Sequence, residues 1–115
     1  MINQYFIVNK NDSIDTVIQK ILYNEHRGVS VVDKKKLIGV ITEGDILKSL
    51  IYRKKFNATA NSIMNKSFKF SNKKDQHQAK KIFKKYLCPI IPIVNDKMDL
   101  KGLLTLKEYL GKLKN

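Results

Sequence analysis

At 115 residues and 43% hydrophobic, the chain is long enough for one modest core, and a chain of this size buries roughly two-thirds of the surface its unfolded form exposes. No apolar run approaches the ~18 residues of a membrane span, and the start, MINQYFIVNK, lacks the basic-then-apolar pattern of a signal peptide, so a cytoplasmic setting is expected. Cys88 is the only cysteine, which excludes an intrachain disulfide and, with two histidines, is too little for a zinc site.

The formal net charge of +13 admits two readings. A polyanion partner is one: nucleic acid, an acidic membrane face or nucleotide phosphates. The other is compositional, because the excess is almost all lysine, and Lys, Asn and Ile all have A/T-rich codons. Lysine is also the weaker choice for bidentate phosphate or base recognition. The lysines at 34–36, 54–55, 73–74, 80–81 and 84–85 form no single tail, so a solvated surface is the expectation.

In chain order, residues 5–8 are a short apolar run that reads as a strand. Asp12 and Ser13 then precede Ile14, Val17, Ile18, Ile21 and Leu22, the stripe of an amphipathic helix ending near Asn24. Asp12 or Ser13 is its N-cap, and Asp15 in its first turn suits the helix dipole. Two β-branched runs, 29–32 and 37–41, flank the polar tetrad Asp33-Lys34-Lys35-Lys36, the pattern of two strands and a tight turn. Thr42-Glu43-Gly44-Asp45 leads into Ile46, Leu47, Leu50 and Ile51 at helical spacing.

Residues 53–61 are polar and aperiodic and read as a linker. Ser62-Ile63-Met64 reads as a short helical turn, and Phe68 and Phe70, alternating with Lys69, as a strand. Asp75 can cap a helix with Ala79, Ile82, Phe83, Tyr86 and Leu87 on its apolar face and lysines on the other. Ile93-Val94, the turn at 95–99, a strand over 100–104 containing Gly102, and a helix with Leu106, Tyr109, Leu110 and Leu113 inside complete the chain.

The second half repeats the first. Ser30-Val31-Val32-Asp33 aligns with Pro92-Ile93-Val94-Asn95 at an offset of 62, and 37–42 aligns with 100–105 at 63, so the second turn has one extra residue. Two units of this length complete each other's core, since neither alone could bury its sheet face.

On VSVVDKKKLIGVITEGDIL in the first half and IPIVNDKMDLKGLLTLKEYL in the second, each half resembles a CBS motif, the module named after cystathionine β-synthase. Ser62-Ile63-Met64 also matches the D-I-M tripeptide that often leads into such a motif. The resemblance covers essentially the whole chain. It implies an α/β fold of tandem βαββα-like motifs, 1–52 and 62–115 about a linker at 53–61, packed as a pseudo-two-fold Bateman module that commonly forms homodimers. It further implies clefts for an adenine nucleotide or adenosyl ligand (AMP, ADP, ATP or S-adenosylmethionine) and a regulatory, non-catalytic role toward an attached or associated enzyme or transporter.

By that resemblance, Asp45 accepts from ribose hydroxyls and Thr42 touches phosphate or ribose, which suits an acceptor-only carboxylate at a helix start. The same Thr-x-x-Asp is also close to a capping box. Arg27 and His26 are candidates for phosphates, and Ile7, Val8 and Val29 for an adenine slot, beside their plainer readings as surface and core. Thr105 and Glu108 put glutamate where the family has aspartate, so the second junction reads as structural, and the first motif as the ligand-carrying one. No Ser/His/Asp or Cys/His spacing and no Gly-rich phosphate loop points to catalysis. A ligand-free scaffold that dimerises, and nucleic-acid binding through the lysines, are the alternatives. The chain reads as either a free-standing subunit or the regulatory segment of a longer enzyme such as a nucleotidyltransferase.

Overall fold

The computed structural model describes residues 2–53, 57–72 and 75–113, with the backbone alone for Gln76, Lys112 and Leu113. The elements are β1 (Ile7–Asn9), α1 (Ile14–Asn24), β2 (Gly28–Asp33), β3 (Lys36–Thr42), α2 (Glu43–Ile51), α3 (Ala60–Ile63), β4 (Ser71–Asn72), α4 (Gln76–Tyr86), β5 (Ile90–Val94), β6 (Leu100–Thr105) and α5 (Leu106–Leu113). They form two three-stranded sheets, ordered β1-β2-β3 and β4-β5-β6. In each, the first pair is parallel and the second antiparallel. The fold is the tandem α/β arrangement expected from the repeat.

The repeat extends to irregular details. Both antiparallel pairs shift register at equivalent points, Val31/Val32 and Ile93/Val94. Both α1 and α4 stop on a left-handed residue, Glu25 (φ 59°) and Leu87 (φ 51°). The start of α2 is tied back by Glu43 N donating to the Arg27 carbonyl (3.2 Å), and that of α5 by Leu106 N donating to the Pro89 carbonyl (2.8 Å). Gly28 of β2 lies so close to the second sheet that an added Cβ would sit 3.2 Å from Ile90 Cγ1.

Local chemistry sets the elements. Ser13 caps α1, its hydroxyl accepting from Thr16 N, a bond worth about 1 kcal/mol. Asn24 ends that helix by donating to the carbonyls of Tyr5 and Gly28, both at 2.9 Å, which fixes the path from α1 into β2. The core of the first half gathers Val8, Ile14, Val17, Ile21, Val29, Val31, Ile41 and Ile46, and full burial of such a side chain stabilises by about 1.5–3 kcal/mol. Ala60 and Ile63 belong to the same cluster, with Ala58 and Met64 packed against it. The segment read as linker and lead-in thus closes the first core, held by Ala60 N to Asp12 O (2.8 Å) and Asn61 N to Lys10 O (2.9 Å). Ala79, Phe83 and Ile91 centre the second core, joined by Ile82, Leu104, Leu106 and Tyr109.

Several local expectations are corrected. Residues 4–6 are a 3-10 turn, and the strand starts at Ile7. The second strand forms at Ser71–Asn72 instead of over Phe68–Phe70. Ile7 pairs with Ser30 in the first sheet, and the equivalent partner of Phe70 is Pro92, which has no N–H to give a ladder. Asp75 occupies the N-cap of α4 without a side-chain capping bond. The apolar stripes are wider than the core they meet: Leu22, Leu47, Ile51, Tyr86 and Leu87 are exposed, and Leu110 is 43% exposed. The side chain of Leu113 lies outside the described residues.

Candidate functional site

The junction of β3 and α2 has the geometry its sequence promised. Thr42 is the N-cap and Asp45 the third helical residue of α2, and the reciprocal capping box is complete. Asp45 Oδ2 accepts from Thr42 N (2.9 Å) and from the Thr42 hydroxyl (3.1 Å), while Asp45 N donates to Thr42 Oγ1 (3.4 Å). Among the described residues all bonds to this carboxylate fall on Oδ2, which leaves Oδ1 as an acceptor. The cap and a ligand role therefore use different oxygens of one side chain.

Asp45 borders a cavity of about 430 Å³ whose other walls are Lys48, Arg53, Ile63, Met64, Asn65 and Lys66. That volume is within the roughly 300–1,000 Å³ of small-molecule sites. Two elements build it. Lys48 is one turn beyond Asp45 on α2, and an i, i+3 pair shares a helix face. The opposite wall, 63–66, is anchored to the sheet by paired bonds between Val40 and Asn65 (Val40 N to Asn65 O, 3.2 Å; Asn65 N to Val40 O, 2.8 Å). Met64 lies over Gly39, where an added Cβ would come within 2.5–2.9 Å of its side chain. One carboxylate faces three cations, a net lining charge of +2.

Of the residues singled out in sequence, Asp45 lines this cavity and Thr42 is bonded to it. Arg27 is exposed at the start of β2 with φ 68° and His26 packs its ring 5.4 Å from Phe6. The His26 Nδ1 is buried without a hydrogen-bond partner among the described residues. Val8 and Val29 are fully buried in the first core, and Ile7 is half-buried on β1; none of the three lines the cavity. Its apolar wall is Ile63 and Met64. Sequence reasoning missed Lys48, Arg53 and Lys66. The signal was there for two of them: continuing the phase of α2 from Asp45 by three and by eight residues reaches Lys48 and Arg53, the second of the chain's two arginines.

The second junction differs. Thr105 Oγ1 donates to Glu108 Oε1 (2.9 Å) and accepts from Glu108 N (3.2 Å). A cavity of about 300 Å³ near it is bounded by Ile2, Asn3, Phe6, Lys101, Gly102 and Leu103, without Glu108. The repeat offset of 62 relates its Ile2 and Asn3 to Met64 and Asn65 of the first cavity, so the two share one equivalent wall and differ in the rest. Among the described residues, no group of three His, Cys, Asp or Glu could hold a metal ion. No described helix is long and apolar enough to cross a membrane.

The family model of the CBS domain matches residues 1–52. The first half of the chain belongs to the CBS domain family, and the whole has the fold of a CBS domain pair. The CBS domain protein NE2398 superposes with a TM-score of 0.79 at 18% identity, over 95% of this chain and 87% of that one. CBSX2, solved in complex with AMP, superposes at 0.71 and 19% identity, over 95% and 89%. The CBS domain pair of MJ0100, solved with 5′-methylthioadenosine and S-adenosyl-L-methionine, gives 0.74 at 26% identity, over 95% and 86%. No curated protein matches the sequence.

Proposed function

We propose that this chain is a regulatory binding module that senses an adenine nucleotide in the cavity at Asp45 and passes its occupancy to an attached or associated enzyme or transporter. The observation that carries the reading is that Asp45 lines one cavity with Lys48, Arg53 and Lys66, while its bonds to Thr42 use Oδ2 alone. The carboxylate would take the ribose hydroxyls, the cations the phosphates, and Ile63 with Met64 the base. Relatives of this fold are solved with AMP and with S-adenosylmethionine. Between these, a lining of net +2 favours a phosphorylated ligand over a sulfonium, because like charges in a partly enclosed site repel. The module binds rather than reacts, and its setting is the cytoplasm.

Thermal melts test this. A ligand that binds only the folded state stabilises it by about 2.7 kcal/mol at a hundred times its Kd. ATP, ADP or AMP should raise Tm by several degrees, S-adenosylmethionine less, and Asp45→Ala should abolish the shift relative to its own unliganded melt. Unchanged melts with all four at millimolar concentration would sink the reading.

A second reading concerns assembly. Leu22 (69% exposed), Leu47 and Ile51 place apolar surface on α1 and α2, beside a shallow groove bounded by Ile18, Ile21 and Ile46. We propose that this face joins two copies into a homodimer. Sedimentation should give twice the chain mass, and Leu22→Glu with Leu47→Glu should give the monomer.

A further inference from the structure

The positive charge is not shared between the halves. Residues 1–52 carry seven Lys and Arg against six Asp and Glu, net +1, whereas 53–115 carry sixteen against four, net +12. A codon bias toward lysine would load both halves alike, so composition does not account for the difference. α4 concentrates it. From Gln76 to Tyr86 there is no acidic residue, and Lys80, Lys81, Lys84 and Lys85 are all exposed while Ala79 and Phe83 are buried. At 100° per residue these four cover an arc of about 140°. They also form two like-charge pairs at i, i+4, which destabilise a helix. The ion pairs of the described residues, Lys10 with Asp33 and Lys36 with Asp99, lie elsewhere.

Aromatic rings interleave with this charge. Lys69 Nζ sits 4.6 Å and Lys85 Nζ 5.3 Å from the centroid of Tyr86, which is 49% exposed. Phe70 is 39% exposed, with Phe68 at 5.7 Å. Lysine positions separated in sequence thus meet around flat π-surfaces.

We propose that the face formed by α4 and residues 66–70 binds single-stranded nucleic acid without sequence preference. Ammonium groups on flexible stems act as point charges for phosphates and read no base edge. Half-exposed aromatics amid cations are the stacking platform that single strands use and duplexes, with bases already stacked, do not. A membrane surface fits less well, since α4 spends Ala79 and Phe83 in the core and leaves only Tyr86, with Leu87 at its end, to insert. This surface lies outside the cavity walls except at Lys66, so it stands whether or not the nucleotide reading does.

The test is fluorescence anisotropy with a labelled 20-nucleotide oligothymidine across a salt series. Five lysines (69, 80, 81, 84, 85) at about 0.7 each predict a slope of log K on log salt near −3.5, roughly a hundredfold loss from 50 to 200 mM. Lys84→Ala with Lys85→Ala should reduce the slope by about 1.4. Lys34→Ala with Lys35→Ala, the same charge loss in the first half, should leave it unchanged. Tyr86→Ala should weaken binding about tenfold at every salt with no change of slope. Circular dichroism melts confirm that each variant is folded. No binding at 50 mM, equal effects of the two double variants, or a duplex bound as tightly as the single strand would overturn the proposal. So would binding to phosphatidylserine vesicles in place of the oligonucleotide, which would make this a membrane face.

Discussion

Lys36 reaches across the module to Asp99: its Nζ lies 2.8 Å from Asp99 Oδ1, joining the turn of the first half to the turn of the second. The same ammonium donates to the Lys97 carbonyl at 2.8 Å. The backbones join too, Leu37 N to Met98 O and Leu100 N to Lys35 O, both 2.9 Å. The hydrogen bond from Lys36, and then that from Asn95 at 3.1 Å, hold the Asp99 carboxyl below the usual carboxylate range. A depressed folded pKa gives stability that is present above the unfolded value of about 3.9 and is lost as pH falls through the folded value. Asp99→Asn should therefore lower the urea midpoint at pH 7, and its deficit should shrink steadily below pH ~4. A deficit independent of pH would assign the effect to packing instead of charge.

Gly39 is required by Met64. A methyl group at Gly39 would meet Met64 Sδ, Cγ and Cβ at 2.5, 2.7 and 2.9 Å, and Cβ cannot swing aside without moving the backbone. Gly39→Ala should destabilise by about 1–3 kcal/mol, the range for overpacking, and weaken any ligand held against 63–66. Pairing it with Met64→Ala should recover part of the loss in a double-mutant cycle. Additive losses would show that the two do not meet.

Leu87 ends α4 in the left-handed region, at φ 51° and ψ 32°, with its side chain 60% exposed. A non-glycine residue there costs about 1 kcal/mol, and little burial offsets it. Leu87→Gly should raise Tm by about 4 °C. A lower Tm would mean that the leucine side chain contributes more than its backbone costs.

Burial pushes the Cys88 thiol above its ordinary pKa, opposed by a backbone hydrogen bond and by the charge of Lys69. The thiolate is the reactive form, so less of it exists at neutral pH than for a free thiol. Alkylation by iodoacetamide at pH 7.5 should be slower than for glutathione and should accelerate toward alkaline pH. A rate above that of glutathione would refute the assignment.

Much of the fold was legible because periodicity survives in short segments: Ile14 to Leu22 could only be one helix face, and the runs around Asp33-Lys34-Lys35-Lys36 only a hairpin. Thr42 and Asp45 were legible as a junction because capping chemistry is local. Lys66 was not legible as part of the site, since its role depends on where residues 63–66 fold back, which no local pattern records. The exposure of Leu22 and Leu47 escaped for a related reason, as an apolar stripe says which side is inner but not how far the core extends. Phe68 and Phe70 alternate as a strand does, but the strand they would join presents Pro92.

The packing of Ala60, Ile63 and Met64 against the first core gives the chain two different midpoints, one along the backbone and one in space. A gene fragment cut after Tyr52 would encode a half with a hole on the outer side of its sheet, and the complementary fragment would carry the plug. Mixed together, such pieces should find each other and fold as a complex.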